Sequence, residues 1–287
     1  MNPLNEIFAC TDGSVYSISV YDHAKWAANR IGLPIRVIHG VEPERQPAYG
    51  MDIAGNVGLG TNEVLLREMI EFEEERIRWA EERAVKILDH AQKYFAQAGM
   101  GSVTVERGHG ALVDIIKSYE QNVELVVIGK RGESADFAKL HLGSNLERVV
   151  RAVPHPVLVA SRSFNPITSF LLAFDNSPSS HKALDYIVNS QLLKGLECTF
   201  FASTRNEEGL KEAAESHAQR LIDAGFTVKM HFTDEKVQQA LPEYVQQAAV
   251  PLVVMGAYGH SRIREFIIGS TTSKMIRNCL VPLLLFH

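Results

Sequence analysis

The chain carries the same ordered series of segments twice, and that repetition constrains its fold more than any other feature. IFACTDGS at 7–14 returns as FLLAFDNSPSS at 170–180, and IRVIHGV at 35–41 as ECTFFAS at 197–203. SVTVER at 102–107 returns as FTVKMHF at 226–232, ELVVIGKRG at 124–132 as PLVVMGAYG at 251–259, and HPVLVA at 155–160 as NCLVPLLLFH at 278–287. Each is a short apolar run bounded by turn residues, the mark of a buried strand. Helical spacing fills gaps between them, as in YDHAKWAANRI at 21–31 and NLERVVRAV at 145–153. Strand, helix and strand with short links make a βα unit with parallel strands. Two α/β units are therefore expected, each an open five-stranded parallel sheet with helices on both faces. The boundary falls in SRSFNPI at 161–167, giving units at 1–163 and 164–287.

The first unit carries an extra loop and helix extension at 43–78. From Pro43 to Asn62 periodicity is lost and five glycines or prolines gather before Gly60, which reads as a loop. GNVGLG within it follows no strand, so it is not a dinucleotide fingerprint. Residues 63–98 predict a long helix, with Leu65, Leu66, Met69, Ile77, Ala80, Ala84, Ile87, Leu88, Ala91 and Phe95 on one continuous apolar face. A glutamate-rich face lies opposite, where Glu74 with Arg78 and Glu82 with Lys86 have favourable i,i+4 spacing. At about 1.5 Å per residue the helix would run roughly 54 Å, so a break or an overhang beyond the sheet is expected.

One stretch points to chemistry. VVMGAYGHSRIREFIIGS at 253–270 is a strand that stops at Gly256, followed by Gly259, Gly269 and the hydroxyl run Ser270 to Ser273. Glycines let backbone N–H groups approach an anion, and a helix starting near Ser270 would aim its positive end at the same charge. Arg262 and Arg264 lie between the glycines. A net charge of −5 gives no overall basic field for nucleic acid or acidic membranes, so an anion would need this local site.

Other chemistries lack their parts. There is no G-x4-G-K-[ST] loop, no G-x-S-x-G elbow and no H-E-x-x-H pair. Cys10, Cys198 and Cys279 make no C-x-x-C pair, which argues against a zinc or disulfide framework. His260 reads as a solvated loop residue and His39 as a packing residue. The sequence opens without a basic segment leading into an apolar one, and no apolar run approaches ~18 residues. A cytoplasmic protein is expected.

A strand ending in Asp, then G-x2-G-x9-G-S before a helix and a final P-[VL]-L strand, resembles the universal stress protein family in its tandem two-domain form. The resemblance implies a Rossmann-like fold of the adenine-nucleotide hydrolase-like kind, with nucleotide at the carboxyl ends of the strands. It implies ATP or ADP, with or without Mg²⁺, held mainly in the second unit. Asp175 would sit beside ribose and adenine, Ala202 would touch adenine through its backbone, and Gly256, Gly259, Gly269, Ser270 and Thr271 would wrap the phosphates. It also implies an internal pseudo-dimer paired through the last strands, and leaves a homodimer open.

The corresponding first-unit residues are Asp12, Gly40, Gly129, Gly132, Gly143 and Ser144. Ten residues rather than nine separate Gly132 from Gly143, and Asn145 and Leu146 stand where the second unit has Thr271 and Thr272. Its hydroxyl wall is thinner, although Lys130 and Arg131 would favour an anion. A protein-interaction scaffold and slow ATP hydrolysis remain the alternative readings.

Overall fold

The structure, a computed structural model, describes residues 5–41, 59–130, 144–205, 209–257 and 270–287, with the side chains of 59–66, 144, 270 and 271 outside the description. The first half contains β1 (Glu6–Cys10), α1 (Ser17–Ile31), β2 (Ile35–Val41), α2 (Leu59–Gln97), β3 (Val103–His109), α3 (Leu112–Ser118), β4 (Val123–Gly129), α4 (Ser144–Ala152) and β5 (Val157–Ala160). The second repeats the series as β6 (Ser169–Phe174), α5 (Pro178–Asn189), β7 (Glu197–Ser203), α6 (Leu210–Asp223), β8 (Val228–Thr233), α7 (Val237–Gln247), β9 (Val253–Gly256), α8 (Ser270–Asn278) and β10 (Leu283–Phe286).

The two expected sheets are joined into one. Strand order is β3-β2-β1-β4-β5-β10-β9-β6-β7-β8, parallel within each half and antiparallel only where β5 meets β10. There Val157 pairs with Leu285, Leu158 with Leu284 and Val159 with Leu283, so the halves face each other about a local pseudo-two-fold between Leu158 and Leu284. Each last strand covers the apolar edge of the other.

Helices cover both faces, which is why the central strands are near-continuous apolar runs. One core cluster packs α1, α2, α5 and α6 against the sheet, and the other packs α3, α4, α7 and α8. Both clusters draw residues from both halves. Ser19 Oγ in α1 donates to Ser161 O at 2.7 Å, and the His23 ring meets Phe164 edge-on at 5.0 Å, which straps down the connecting segment. Arg30 reaches further, donating to Leu192 O at 2.9 Å and also to Lys194 O.

The long helix is unbroken and overhangs the sheet. Its apolar face is buried from Ala84 through Ile87, Leu88, Ala91 and Phe95, whereas Met69, Ile70, Phe72, Ile77 and Trp79 range from 50% to 66% exposed. The expected continuous core face is thus corrected, because the sheet ends: Glu81 pairs with Arg107 and with His109 (3.4 Å) at the tip of β3, and the helix runs on past that point. Arg78 pairs with Glu75 at 3.6 Å, one residue short of the expected Glu74. The loop read at 43–62 falls outside the described residues up to position 58, and from Leu59 the chain is helical.

Candidate functional site

In each half the connection reverses direction between the first and fourth strands, so β1 and β4, or β6 and β9, part at a crevice beyond their carboxyl ends. In the second half β6 delivers Asp175 there. Asn176 then takes a left-handed turn (φ 56°), tolerated by Asn, and Ser177 caps α5 with Pro178 behind it. Ser177 N and Oγ both donate to Asp175 Oδ1, at 3.1 and 2.5 Å, while Ser177 Oγ accepts from Ser180 N at 3.3 Å. The carboxylate is locked to the helix entrance.

That entrance presses against β9. A Cβ built on Gly256 would lie 2.3 Å from Ser179 Oγ and 3.2 Å from Ser180 N. Next along the chain, buried Thr272 in the first turn of α8 donates its hydroxyl to Ala257 O at 2.6 Å, and Ala257 N donates to Phe286 O at 2.7 Å. The N-termini of α5 and α8 therefore converge on Gly256 and Ala257. Two helix N-termini directed at one crevice favour an anion there.

Asp175 and Gly256 both stand at the α5 entrance, the first bonded to Ser177 and the second packed on Ser179 and Ser180, with Ser270 and Thr271 in the backbone of the first turn of α8. Ala202 is buried on β7, level with Phe174 and hence one residue short of Asp175. Gly259 and Gly269, with His260, Arg262 and Arg264, lie outside the described residues. Ser177, Ser179 and Ser180 stand at this entrance without having been singled out by motif, whereas Thr272 belongs to the hydroxyl run read from the sequence. The cap signature Ser-Pro directly after Asp175-Asn176 carries that information.

The same crevice in the first half is built differently. Ser14 N donates to Asp12 Oδ1 at 2.9 Å and Ser17 Oγ to the same atom at 3.3 Å. α1 begins only at Ser17, and its N-cap, Tyr16, makes no side-chain capping bond. Buried hydroxyls satisfy one another instead: Thr11 Oγ1 lies 2.9 Å from Ser17 Oγ and 2.7 Å from Tyr21 OH, whose pKa burial pushes up. α2 lies over this turn. A Cβ on Gly13 (φ 76°) would lie 2.6 Å from Ile87 Cγ1, and Arg83 reaches Asp12 O at 3.5 Å.

Two first-half assignments change. Cys10 pairs with Ile38, and Thr11 N donates to Ile38 O at 2.9 Å, which sets His39 level with Thr11. The counterpart of Ala202 is therefore His39 rather than Gly40. The His39 ring, half-buried, places Nδ1 2.8 Å from Thr11 O, a packing role. Lys130 donates across the molecule to Cys279 O at the end of α8. Gly129 ends β4 and Ser144 opens α4, while Arg131, Gly132 and Gly143 lie outside the described residues.

Beside the second crevice, His181 Nε2 lies 3.0 Å from Asn176 Oδ1 and its ring meets that of His217 at 4.7 Å. Burial, then the neighbouring His181 and Arg220, hold the His217 pKa below the usual histidine value. Among the described residues no three His, Cys, Asp or Glu side chains gather as metal ligands, and no helix is long and apolar enough to cross a membrane.

Comparison with known proteins adds an independent line. The universal stress protein family model matches residues 4–161 and again 167–287. A universal stress protein of Synechocystis sp. is 34% identical over 287 residues, covering 99% of this chain and 100% of its own length. One from Mycolicibacterium smegmatis is 24% identical over 91% of this chain and 90% of its own. Among solved structures, a universal stress protein from Archaeoglobus fulgidus superposes with a TM-score of 0.72 at 23% identity, covering 98% of both chains. A functionally unknown protein from Pseudomonas aeruginosa PAO1 gives 0.62 at 13% identity, over 99% of this chain and 92% of that one. With two tandem matches to the family model and a relative of this identity along its whole length, the chain belongs to the universal stress protein family.

Proposed function

We propose that the second unit, 164–287, binds an adenine nucleotide, ATP or ADP, as the regulatory or sensing ligand of a cytoplasmic stress-response protein. The observation that carries this reading is the meeting of the α5 and α8 N-termini at Gly256. In the proposed roles Asp175 sits beside the ribose and adenine, Ala202 offers its backbone to the base, and Gly256, Gly259, Gly269, Ser270 and Thr271 take the phosphates.

Geometry supports ranking the unit at 1–163 lower as a nucleotide site. Its helix entrance lacks the serine cap, Ile87 crowds Gly13, and Lys130 is engaged at Cys279 O. Its proposed set is Asp12, Gly129, Gly132, Gly143 and Ser144, with His39 standing at the base-contact level that the spacing had given to Gly40. Mg²⁺ would find no ready cluster of ligands among the described residues, so no role is derived for it.

Calorimetry with ATP, ADP and AMP on the wild type and on Gly259→Val tests the proposal. Binding lost in the variant is the expected result; equal affinity in both removes the basis for this site. In a thermal-shift experiment, ligand at about 100 times its Kd should stabilise the protein by about 2.7 kcal/mol. The uncovered apolar half of α2 favours a second reading, a protein-interaction scaffold, and no shift with any adenine nucleotide would support it.

A further inference from the structure

One helix reaches from one crevice to the other. Gly129 at the end of β4 pairs with Ala160, and Val159 with Leu283, so the carboxyl ends of β4 and β5 lie beside the start of β10. α8 leads into β10, which brings its C-terminal end out next to the first crevice. Its first turn stands at the second, where Thr272 bonds to Ala257 O beside Gly256. Nine residues span only about 14 Å, and Met275, Ile276 and Cys279 are buried, so the two ends move together as a rod.

The C-terminal end is held from the other half. Lys130, the residue after Gly129, donates from its ammonium to Cys279 O, directly past the last turn of α8. A helix leaves its last carbonyls without intrahelical donors, and a cation there also meets the negative end of the dipole. Arg277 in that last turn is exposed, whereas Lys130 is half-buried and less screened. The arrangement is one-sided. Across the pseudo-two-fold Gly129 corresponds to Gly256 and Val153 to Cys279, so the counterpart of Lys130 is Ala257, whose methyl group carries no donor for the end of α4.

We infer that Lys130 is a positioning residue for the second crevice: by fixing the C-terminal end of α8 it holds the first turn of that helix at Gly256 and Ala257, so the first half sets the ligand affinity of the second. The lysine read as an attraction for anions in the first crevice thus serves the other one. The effect on affinity rests on the nucleotide reading of the second unit; the hold on α8 does not.

Hydrogen exchange and ATP calorimetry on the full chain test the inference, in the wild type, Lys130→Met and Lys130→Arg. Lys130→Met keeps an unbranched apolar stem and removes the donor. Amides of α8 should then exchange about two- to fivefold faster while those of α4 keep their rates, and the Kd for ATP should rise by a similar factor. Lys130→Arg still carries a donor and should restore both. Unchanged exchange of α8 in Lys130→Met overturns the inference. So does faster exchange shared equally by α4 and α8, which is general destabilisation, and so does a wild-type affinity for ATP with α8 loosened. If no version of the chain binds ATP, the nucleotide reading fails, and faster exchange confined to α8 still supports the hold of Lys130 on that helix.

Discussion

Gly256 and Ser179 approach so closely that a methyl group on the glycine would sit 2.3 Å from the serine Oγ. The hydroxyl can swing aside, but Ser180 N at 3.2 Å belongs to the backbone and cannot. Gly256→Ala should therefore push the start of α5 away from β9, at a cost of about 1–3 kcal/mol. Urea unfolding measures this, and ATP calorimetry on the same variant should show weakened binding. Adding Ser179→Gly should recover part of the stability. Wild-type stability in Gly256→Ala alone would contradict the packing account.

Ser177 is the next element of the same entrance. Its hydroxyl serves both Asp175 and the N–H of Ser180, so Ser177→Ala removes a helix cap and a donor to the carboxylate together. Loss of about 1–2 kcal/mol is expected, read as a lower urea midpoint with an unchanged m-value. A loss under a few tenths would mean that other donors replace it.

Much of this was legible in the sequence because repetition supplied an internal control. Each strand run was read twice, so weak single signals such as ECTFFAS gained support from IRVIHGV at the same place in the series. The strand ends at Asp175 and Gly256 were legible because a strand end beside a turn residue is a local pattern. Less local facts escaped. Strand pairing, which placed His39 rather than Gly40 level with the residue before Asp12, depends on hydrogen bonds between segments remote in sequence. The reach of Lys130 to Cys279 O depends on two halves meeting. The apolar spacing of α2 announced a buried face, but periodicity does not reveal where the sheet beneath it ends.

Acid should loosen the fold through two histidines. Burial lowers the pKa of His23, and burial with His181 and Arg220 nearby lowers that of His217. A lowered folded-state pKa means that the unfolded chain takes up protons first as pH falls. The stability these groups protect is fully present above the ordinary value of 6.5 and declines as pH drops from there towards the lowered folded values. The slope per group is at most about 1.4 kcal/mol per pH unit. Urea midpoints measured between about pH 7 and pH 5 should fall in the wild type and fall less in His23→Gln. An equal acid slope in both would exclude His23 as the source.

Core clusters that span both halves predict one unfolding transition rather than two. Leu284→Ala, at the centre of the β5–β10 contact, should cost about 2–5 kcal/mol and lower that single transition as a whole. Calorimetry resolving two separate peaks in the wild type would show that the halves melt independently.

Leu158 lies against Leu284, its own counterpart, as equivalent residues do across the axis of a pair of identical subunits. In such a pair every inherited change is made twice. Here the copies share one chain, so one mouth can diverge while the other is kept: Ile87 presses on the Gly13 turn of the first half, and the second half retains its serine entrance. Since β5 and β10 run in opposite directions, the two mouths also open at opposite ends of the strands. A single small ligand cannot span them.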